Sequence, residues 1–289
     1  METASSFKAR TDAVLSRIGA DVLFYDESEF WMIRSPYEYI EAHAYERRLL
    51  NTAAALPLAR GLHNGVHRKF CMVKDDVSYR VPYMIHPLMV CRMLMDLQVP
   101  LSADEEDILL ASALCHDMIE DLPFEDHGRE LYTVYGLDRR VYETVLKLSK
   151  RKDFTKQEEE AHFRGIREDR LAVLIKLSDR GNNVEDLYNM SLKKVHEYIH
   201  ETQEYILPMC AYAKENYPSL ALAVSVLEDK MLCLTGISGV LAERYDRNEK
   251  ELHQKYEALL AENERLRAEW KALSEQRENK EAKEGAVQQ

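Results

Sequence analysis

The chain has 289 residues and is acidic, with 51 Asp and Glu residues against 39 Lys and Arg and a formal net charge of -12. This balance argues against binding along a nucleic-acid backbone, which needs basic side chains to neutralise phosphates. The five cysteines form no C-x-x-C pair, so neither a disulfide framework nor a zinc ribbon is indicated. A secretory signal and an apolar run of about 18 residues are both missing. We therefore expect a cytoplasmic protein that binds neither nucleic acid nor membrane.

The first part of the chain is predicted to be helical up to a basic segment. Ser35 and Pro36 suit the N-cap and first position of a helix, and an Ala- and Leu-rich helix follows over residues 51–63. Residues 61–80 then carry six basic or histidine side chains against two aspartates. Such local basicity in an acidic chain suggests a phosphorylated ligand. The alternative is a solvated loop.

A histidine stands at the start of the next helix. His86 precedes Pro87, and an apolar segment continues to Leu97. A proline in the first turn places His86 near the N-terminus of the helix, on the interior side. A histidine in such a place is more often a core or capping residue than a ligand, so its interpretation depends on the segment that follows.

Residues 108–122, with the sequence ILLASALCHDMIEDL, place charged groups inside an otherwise apolar helix. On a continuous helix, the spacing would put His116, Asp117, Glu120 and Asp121 on one broad face. Burying three carboxylates beside an imidazole is costly unless they are paired or bind a metal. The segment therefore predicts either a metal-binding helix or a surface helix with an acidic end.

A second apolar run, residues 170–187, ends in a similar polar cluster that contains Asp179 and Asn183. Asp179 is either a ligand or an ordinary capping or ion-paired carboxylate. A helix over residues 138–150 and a charged, mobile loop over residues 151–160 are predicted before this run. Two further helices are predicted over residues 195–240. Because no strand with clean alternation is visible, we predict an all-α fold.

The C-terminal tail carries a heptad repeat. Leucines recur every seven residues, and the other core position holds two aromatic residues and one asparagine: Leu252, Leu259, Leu266, Leu273, Tyr256, Trp270 and Asn263. One asparagine in such a core favours a parallel, two-stranded coiled coil. We predict a homodimer through residues 252–273, with a single helix packed on the body as the alternative. The predicted organisation is an N-terminal helical extension (1–49), a main domain (50–240) and a coiled-coil tail with a disordered end (241–289).

Four motifs, in this order, resemble the HD superfamily of metal-dependent phosphohydrolases. Their local sequence is most similar to the hydrolase domain of RelA/SpoT-type alarmone enzymes and to the small alarmone hydrolases. The motifs are H-x-G-x-x-R-K at 63–69, P-Y-x-x-H-P at 82–87, A-L-x-H-D-x-x-E-D at 113–121 and I-K-L-x-D-R-x-x-N at 175–183. The resemblance covers roughly residues 50–215 and implies an HD-domain helical bundle.

The resemblance also implies roles for individual residues. One divalent ion, usually manganese in this family, would be held by His86, His116, Asp117 and Asp179. Glu120 and Asp121 would form the catalytic acidic pair, and the nucleotide would be contacted by Arg68, Lys69 and Asn183. The implied reaction is hydrolysis of the 3′-pyrophosphate of the alarmones ppGpp and pppGpp to GDP or GTP. The alternatives are hydrolysis of another phosphorylated nucleotide, such as a ppApp-type alarmone or NADPH, and a non-catalytic module that binds a nucleotide or a partner.

The sequence departs from the family pattern at four positions and in a longer loop before Pro82. Phe70 and Cys71 follow the Arg-Lys pair in place of Ser-Gly. Gly181 and Asn182 replace the usual Leu and His. These changes leave the proposed metal ligands in place but alter the pocket around them.

Overall fold

The structure is a computed structural model that describes residues 3–18, 29–74, 76–121, 131–151 and 153–287, apart from the side chains of Asp121 and residues 272–287. Helices dominate these residues, and this confirms the predicted all-α fold. The helices are α1 (Ala4–Leu15), α2 (Phe30–Arg47), α3 (Leu50–Leu62), α4 (Ile85–Asp96), α5 (Ala103–Cys115), α6 (Met118–Asp121), α7 (Arg139–Leu148), α8 (Lys156–Arg167), α9 (Arg170–Glu185), α10 (Leu192–Glu201), α11 (Leu207–Asn216) and α12 (Ala221–Val287). A π-helical turn, Thr202–Ile206, joins α10 to α11.

The chain divides into two compact units, Met1–Gly236 and Ile237–Gln289. The first unit contains α1 to α11 and the start of α12. The described part of the second unit is the remainder of α12, so the predicted C-terminal helix is present. No helix in the described residues is long and apolar enough to cross a membrane.

Helix α5 lies at the centre of the first unit, where it packs against α3, α4, α7 and α9. Its N-terminus is fixed by a capping box, in which Ser102 and Glu105 each bond the backbone of the other. Every residue from Asp107 to Cys115 is buried. The apolar run therefore forms an interior helix because all its faces contact other helices.

The helix predicted over residues 108–122 is not continuous. Helix α5 ends at Cys115, and a turn at His116 and Asp117 separates it from α6. The His116 ring contributes to this break, since its Nδ1 donates a hydrogen bond of 2.8 Å to the carbonyl of Ala113. That carbonyl is the one a continuing helix would bond through the backbone N–H of Asp117.

A buried carboxylate links α5 to the start of α3. Helix α3 has no side-chain cap of its own at Leu49. Instead, the Asp107 carboxylate accepts hydrogen bonds from the backbone N–H groups of Asn51 and Thr52, at 3.0 and 2.8 Å, and from both of their side chains. The negative charge of Asp107 at the N-terminus of α3 also interacts favourably with the helix dipole.

Substitution of Asp107 by alanine is expected to lower the free energy of unfolding by about 3 kcal/mol, because buried donors at the start of α3 lose a charged acceptor. Urea denaturation followed by circular dichroism would measure the change. The matched control is Asp104→Ala on the same helix, whose exposed carboxylate pairs with Arg140 and should matter little. Equal stabilities of the two variants would contradict this role of Asp107.

The basic segment forms a β-hairpin that the sequence analysis did not predict. Strands β1 (His67–Lys74) and β2 (Val77–Pro82) are antiparallel, with Cys71 opposite Arg80 and Lys74 opposite Val77. An irregularity between His67 and Cys71 interrupts the pairing. Most residues of β1 beyond Phe70 are exposed, so the apolar alternation that marks a strand is weak.

Three other boundaries differ from the predictions. Helix α2 begins at Phe30 rather than at Ser35, with Pro36 inside the helix. The loop predicted over residues 151–160 is replaced in part by α8, where Thr155 and Glu158 form a capping box. The helix predicted over residues 51–63 is present as α3, which begins and ends one residue earlier.

Candidate functional site

Four side chains of the kind that bind metals converge between α4, the α5–α6 turn and α9. Their facing atoms are His86 Nε2, His116 Nε2, Asp117 Oδ2 and Asp179 Oδ1. His86 Nε2 lies 3.5 Å from Asp117 and 3.2 Å from Asp179, and His116 Nε2 lies 3.2 and 3.8 Å from the same oxygens. These separations resemble those between neighbouring ligands of one ion, which are roughly 3.3 Å for bonds of about 2.1 Å.

Hydrogen bonds fix the orientation of both imidazole rings. His86 Nδ1 donates to Asn182 Oδ1 at 2.6 Å, and His116 Nδ1 donates to the Ala113 carbonyl at 2.8 Å. With a proton on each Nδ1, the Nε2 atoms face the centre of the cluster, as in metal-ligating histidines. His116 Nε2 is buried and has no hydrogen-bond partner. This orphaned atom is an observation that favours a ligand at the centre.

The two carboxylates are also held by neighbours. Tyr83 donates its hydroxyl to Asp117 Oδ2 at 2.5 Å. Lys176 Nζ donates to Asp179 Oδ2 at 2.9 Å, and Asn183 Nδ2 donates to Asp179 Oδ1 at 2.5 Å. Such supporting contacts restrict the ligand geometry and favour binding of an ion.

The pKa values of His116, Asp117 and Asp179 are shifted because oppositely charged side chains lie next to one another in the cluster. Burial lowers the pKa of His116, but the carboxylates of Asp117 and Asp179 outweigh it and raise that pKa well above its usual value. Burial likewise raises the pKa of Asp117, and the two imidazoles reverse this and lower it. The pKa of Asp179 is well below its usual range because Lys176 and the histidines outweigh its burial. Both carboxylates are therefore ionised and able to bind a cation.

The donor set fits a divalent cation. Two imidazole nitrogens and two carboxylate oxygens suit borderline metals such as manganese, iron and zinc. His86, His116 and Asp179 offer three ligand atoms that all lie within 4.8 Å of one another, and all three residues are buried. The turn at His116 and Asp117 adds a second carboxylate, whose Oδ2 atom lies 3.2 Å from His116 Nε2 and 3.5 Å from His86 Nε2.

The cluster lies at the base of a cleft of about 790 Å³. Three aromatic side chains line the cleft: Phe70, Tyr83 and Tyr198. Six basic side chains also line it: Arg68, Lys69, Lys150, Lys176, Arg180 and Lys194. Five carboxylates line the cleft as well: Asp117, Glu120, Asp179, Asp186 and Glu201. The ammonium and guanidinium groups of the lining are suited to phosphate.

The structure places the predicted nucleotide-contacting residues in this cleft, but two of them have partners within the protein. Arg68 forms an ion pair with Asp186, and Asn183 bonds Asp179. Lys69 forms no ion pair in the part of the chain that the structure describes. His63, counted in the basic segment, is buried, and burial lowers its pKa to about 4. It therefore adds no positive charge at neutral pH.

Of the two predicted catalytic acids, Glu120 lines the cleft. Its carboxylate accepts a hydrogen bond from the backbone N–H of Lys150. Burial raises the pKa of Glu120, although that hydrogen bond and the ammonium of Lys176 oppose the shift. A carboxylate of raised basicity beside a metal cluster is suited to accept a proton. The Asp121 side chain lies outside the described residues.

Several side chains of the cleft were not singled out from the sequence. Lys150, Lys194 and Tyr198 belong to charged amphipathic segments whose pattern does not distinguish a cleft residue from a solvated one. Tyr83 lies within a quoted motif, three residues before the predicted ligand His86, and that adjacency was the available signal. Metal ligands in general are supported by such neighbours.

No protein-family model matches the chain. A curated protein of Myxococcus xanthus, "GTP pyrophosphokinase", is 31% identical over 137 residues, which cover 44% of this chain and 17% of that protein. The chain therefore corresponds to a small part of this relative's length.

This relative contradicts two predictions. A pyrophosphokinase adds a pyrophosphate group, whereas the sequence analysis predicted hydrolysis of the 3′-pyrophosphate of ppGpp and pppGpp and assigned a 3′-pyrophosphohydrolase. Both predictions are wrong on this finding. The name of this relative gives no support to the hydrolase assignment.

Proposed function

We propose that this chain binds a guanine nucleotide through its phosphate groups at a single divalent metal centre. The ligands would be His86, His116, Asp117 and Asp179, and Mn²⁺ is the ion that we propose. The observation that carries this proposal is the convergence of His86, His116 and Asp179 in the lining of the cleft, with the orphaned Nε2 of His116 among their ligand atoms. The Oδ2 atom of Asp117 lies beside both imidazoles. A bound divalent ion would neutralise charge on the phosphates.

Basic side chains near the cluster would bind the phosphates that the ion does not reach. Lys150 and Lys194 line the cleft, and each also contacts a glutamate, Glu159 and Glu197 respectively. Lys69 offers an unpaired ammonium within the described residues. Because phosphate carries more negative charge than one carboxylate, the ammonium groups of these lysines form stronger ion pairs with a bound phosphate than with the glutamates.

Aromatic rings supply contacts for the base. The guanidinium of Arg68 lies 5.6 Å from the centre of the Phe70 ring and 5.9 Å from that of Tyr83. A purine can stack on such rings and on a guanidinium plane. The cleft of about 790 Å³ is large enough for one nucleotide.

The reaction class that we propose follows the name of the relative: transfer of a pyrophosphoryl group to a guanine nucleotide. In such a transfer, an acceptor hydroxyl attacks the β-phosphorus of a nucleoside triphosphate donor, and the bond from that phosphorus to the oxygen bridging to the α-phosphate breaks. The nucleoside monophosphate leaves with that oxygen, and a base must accept the hydroxyl proton. Glu120 is suited to accept that proton, because its carboxylate lines the cleft and burial raises its pKa.

The test measures nucleotide binding and transfer separately. With Mn²⁺ present, we expect GTP to bind in isothermal titration calorimetry, and we expect chelator to abolish the binding. With ATP as donor, ³¹P NMR should show a pyrophosphorylated GTP product. Glu120→Gln should retain GTP binding but slow transfer by about 100-fold or more, because an amide cannot accept the proton.

The control for this variant is Glu143→Gln, which changes an exposed glutamate paired with Arg139 and should leave both measurements unchanged. CTP serves as the control nucleotide, since a pyrimidine offers a smaller stacking surface. Absence of Mn²⁺-dependent GTP binding would overturn the proposed function. Binding without transfer would remove the proposed reaction class.

We also propose that the second unit forms a homodimer. Leu252 and Leu259 are 68% and 69% exposed, and Trp270 is 73% exposed. These residues belong to one stripe of the heptad repeat on α12. A helix with a regular leucine stripe of this kind buries it against a partner helix, and an identical helix supplies the matching pattern.

Charges and the asparagine favour a parallel arrangement of the two helices. In a parallel pair, Glu262 of each copy faces Arg267 of the other, and the two Asn263 amides meet and can bond each other. In the antiparallel pairing that puts Asn263 opposite Leu259, Glu262 would face its own counterpart. That pairing also buries an amide against an apolar side chain, which is costly.

A further inference from the structure

A chain of polar contacts connects the candidate metal centre to helix α12. It starts at His86, whose Nδ1 donates to Asn182 Oδ1 at 2.6 Å. Asn182 Nδ2 donates to Glu185 Oε2 at 3.0 Å. The other oxygen of Glu185, Oε1, lies 2.7 Å from Lys230 Nζ on α12. Three contacts thus lead from a ligand-type imidazole to an ammonium on the last helix.

The same contact region includes the glycine beside Asn182. A Cβ atom added at Gly181 would lie 3.5 Å from Met93 Sδ, 3.7 Å from Leu227 Cδ2 and 4.0 Å from Lys230 Cδ. These are ordinary van der Waals distances, so residue 181 lies where α9 packs against Leu227 and Lys230 of α12. Both positions at which the fourth motif departs from the family pattern, 181 and 182, therefore contact or connect to α12.

The contacts of Asn182 determine which of its amide atoms faces His86. A carboxylate is an acceptor only, so Glu185 bonds the NH₂ group and leaves the amide oxygen toward His86. An amide oxygen requires a proton on His86 Nδ1, and the Nε2 lone pair is then available to a metal. If the amide rotated by half a turn, its NH₂ group would face Nδ1, and the proton would move to Nε2, where it blocks the metal.

We propose that Asn182 is a positioning residue for the metal centre, held in its orientation by Glu185 and by Lys230 of α12. The inference rests on the metal centre of the proposed function. It adds the side chains that determine which tautomer His86 adopts. Asn182 and His86 are 8% and 2% exposed, so their hydrogen bond is protected from water. The ion pair of Glu185 with Lys230 is more exposed, so we expect Lys230 to have the smaller effect.

The first measurement is Mn²⁺ affinity by electron paramagnetic resonance on the full chain. Asn182→Ala should weaken binding by about 10- to 100-fold, the range for supporting residues of metal ligands. Asn182→Asp should restore affinity to within a few-fold, because it again presents an acceptor to His86. Lys230→Met should weaken binding a few-fold, and it should have no further effect in the Asn182→Ala background, since it acts through that amide.

The second measurement reads the tautomer without metal or activity. In ¹⁵N NMR of the metal-free protein, His86 Nδ1 of the wild type should carry a proton and show its hydrogen bond to Asn182, and Asn182→Ala should lose that signature. The matched control is Glu228→Gln on α12, which removes the ion pair of Glu228 with Lys214 of α11 and should alter neither measurement. A loss of stability alone would affect both α12 variants alike.

Equal Mn²⁺ affinity of the wild type and Asn182→Ala would overturn the inference and leave the metal centre intact. If the wild type binds no Mn²⁺, the proposed function fails instead. In that case the NMR experiment still decides the role of Asn182, because a wild-type His86 without a proton on Nδ1 would contradict it.

Discussion

Substitution of Asp117 by alanine is expected to abolish divalent metal binding. The Oδ2 atom of Asp117 lies 3.2 Å from His116 Nε2 and 3.5 Å from His86 Nε2, so it faces both imidazoles that would share the ion. Its loss removes one of four ligands and the charge that offsets the cation, and we expect Mn²⁺ affinity to fall by at least about 100-fold.

The measurement is thermal unfolding with and without Mn²⁺, supported by direct metal analysis. At a metal concentration about 100 times the dissociation constant, binding should stabilise the wild type by about 2.7 kcal/mol. This increment should vanish in Asp117→Ala. Asp117→Asn keeps the shape of the side chain and an acceptor for the Tyr83 hydroxyl, so it separates loss of charge from loss of packing.

Asp104→Ala is the control for this experiment, because it removes the same charge from an exposed residue on α5. Its Mn²⁺ increment should equal that of the wild type. An undiminished increment in both Asp117 variants would exclude Asp117 from the metal centre and leave a set of His86, His116 and Asp179.

The sequence allowed these ligands to be proposed because each one lies where an apolar segment meets polar residues. His86 begins α4, His116 and Asp117 follow α5, and Asp179 lies inside α9. Apolar patterns show which helices are interior, and a charged group on an interior helix requires a partner. The helices and the interior polar residues could therefore be predicted from local sequence.

Features that depend on long-range contacts could not be predicted in this way. The break after Cys115 involves a ring that bonds a carbonyl three residues earlier, and apolar periodicity does not report such a bond. The hairpin at His67–Pro82 has mostly exposed side chains, so its strands lack the alternation of a half-buried sheet. The contact of Asn182 with Glu185 gains its meaning only from Lys230, which lies 45 residues further along the chain.

The reaction was the least predictable feature. Two histidines, two aspartates and nearby lysines bind a cation and phosphates, and many phosphoryl reactions use the same groups. These reactions differ in where the second substrate or the attacking water lies, and no local sequence motif encodes that position. This explains why a site assembled from predicted residues is compatible with a reaction other than the one that was predicted.

Exchange of leucine for aspartate on the heptad stripe is expected to convert the dimer to a monomer. Leu259→Asp combined with Leu266→Asp places two charges in the middle of the proposed interface, where burial without a partner is strongly unfavourable. Sedimentation velocity should show the wild type at twice the mass of the chain and the variant at one chain mass.

The matched control is Ala261→Asp combined with Ala268→Asp. These positions lie on the opposite face of α12, so the same added charge should leave the dimer intact. Truncation after Arg244 should also give a monomer. A wild type that sediments as one chain, or a leucine variant that remains dimeric, would place the leucine stripe outside any dimer interface.

Cysteine cross-linking tests the orientation of the two helices, in a background where the exposed Cys71 and Cys233 are serine. Leu252→Cys should form a disulfide between identical positions if the helices are parallel and in register. In the antiparallel pairing considered above, these two positions are 18 residues apart along the helix, or about 27 Å at a rise of about 1.5 Å per residue, too far for a disulfide.

That antiparallel pairing instead places Leu252 opposite Trp270. A mixture of Leu252→Cys and Trp270→Cys chains would then form the mixed disulfide, which the parallel dimer cannot form. Gln254→Cys, on the outer face, reports random collision and should not cross-link. We expect a disulfide between two Leu252→Cys chains and no mixed disulfide. In the parallel dimer, each Asn263 amide meets Asn263 of the other copy and can bond it, so its burial is least costly. Glu262 of each copy then also faces Arg267 of the other.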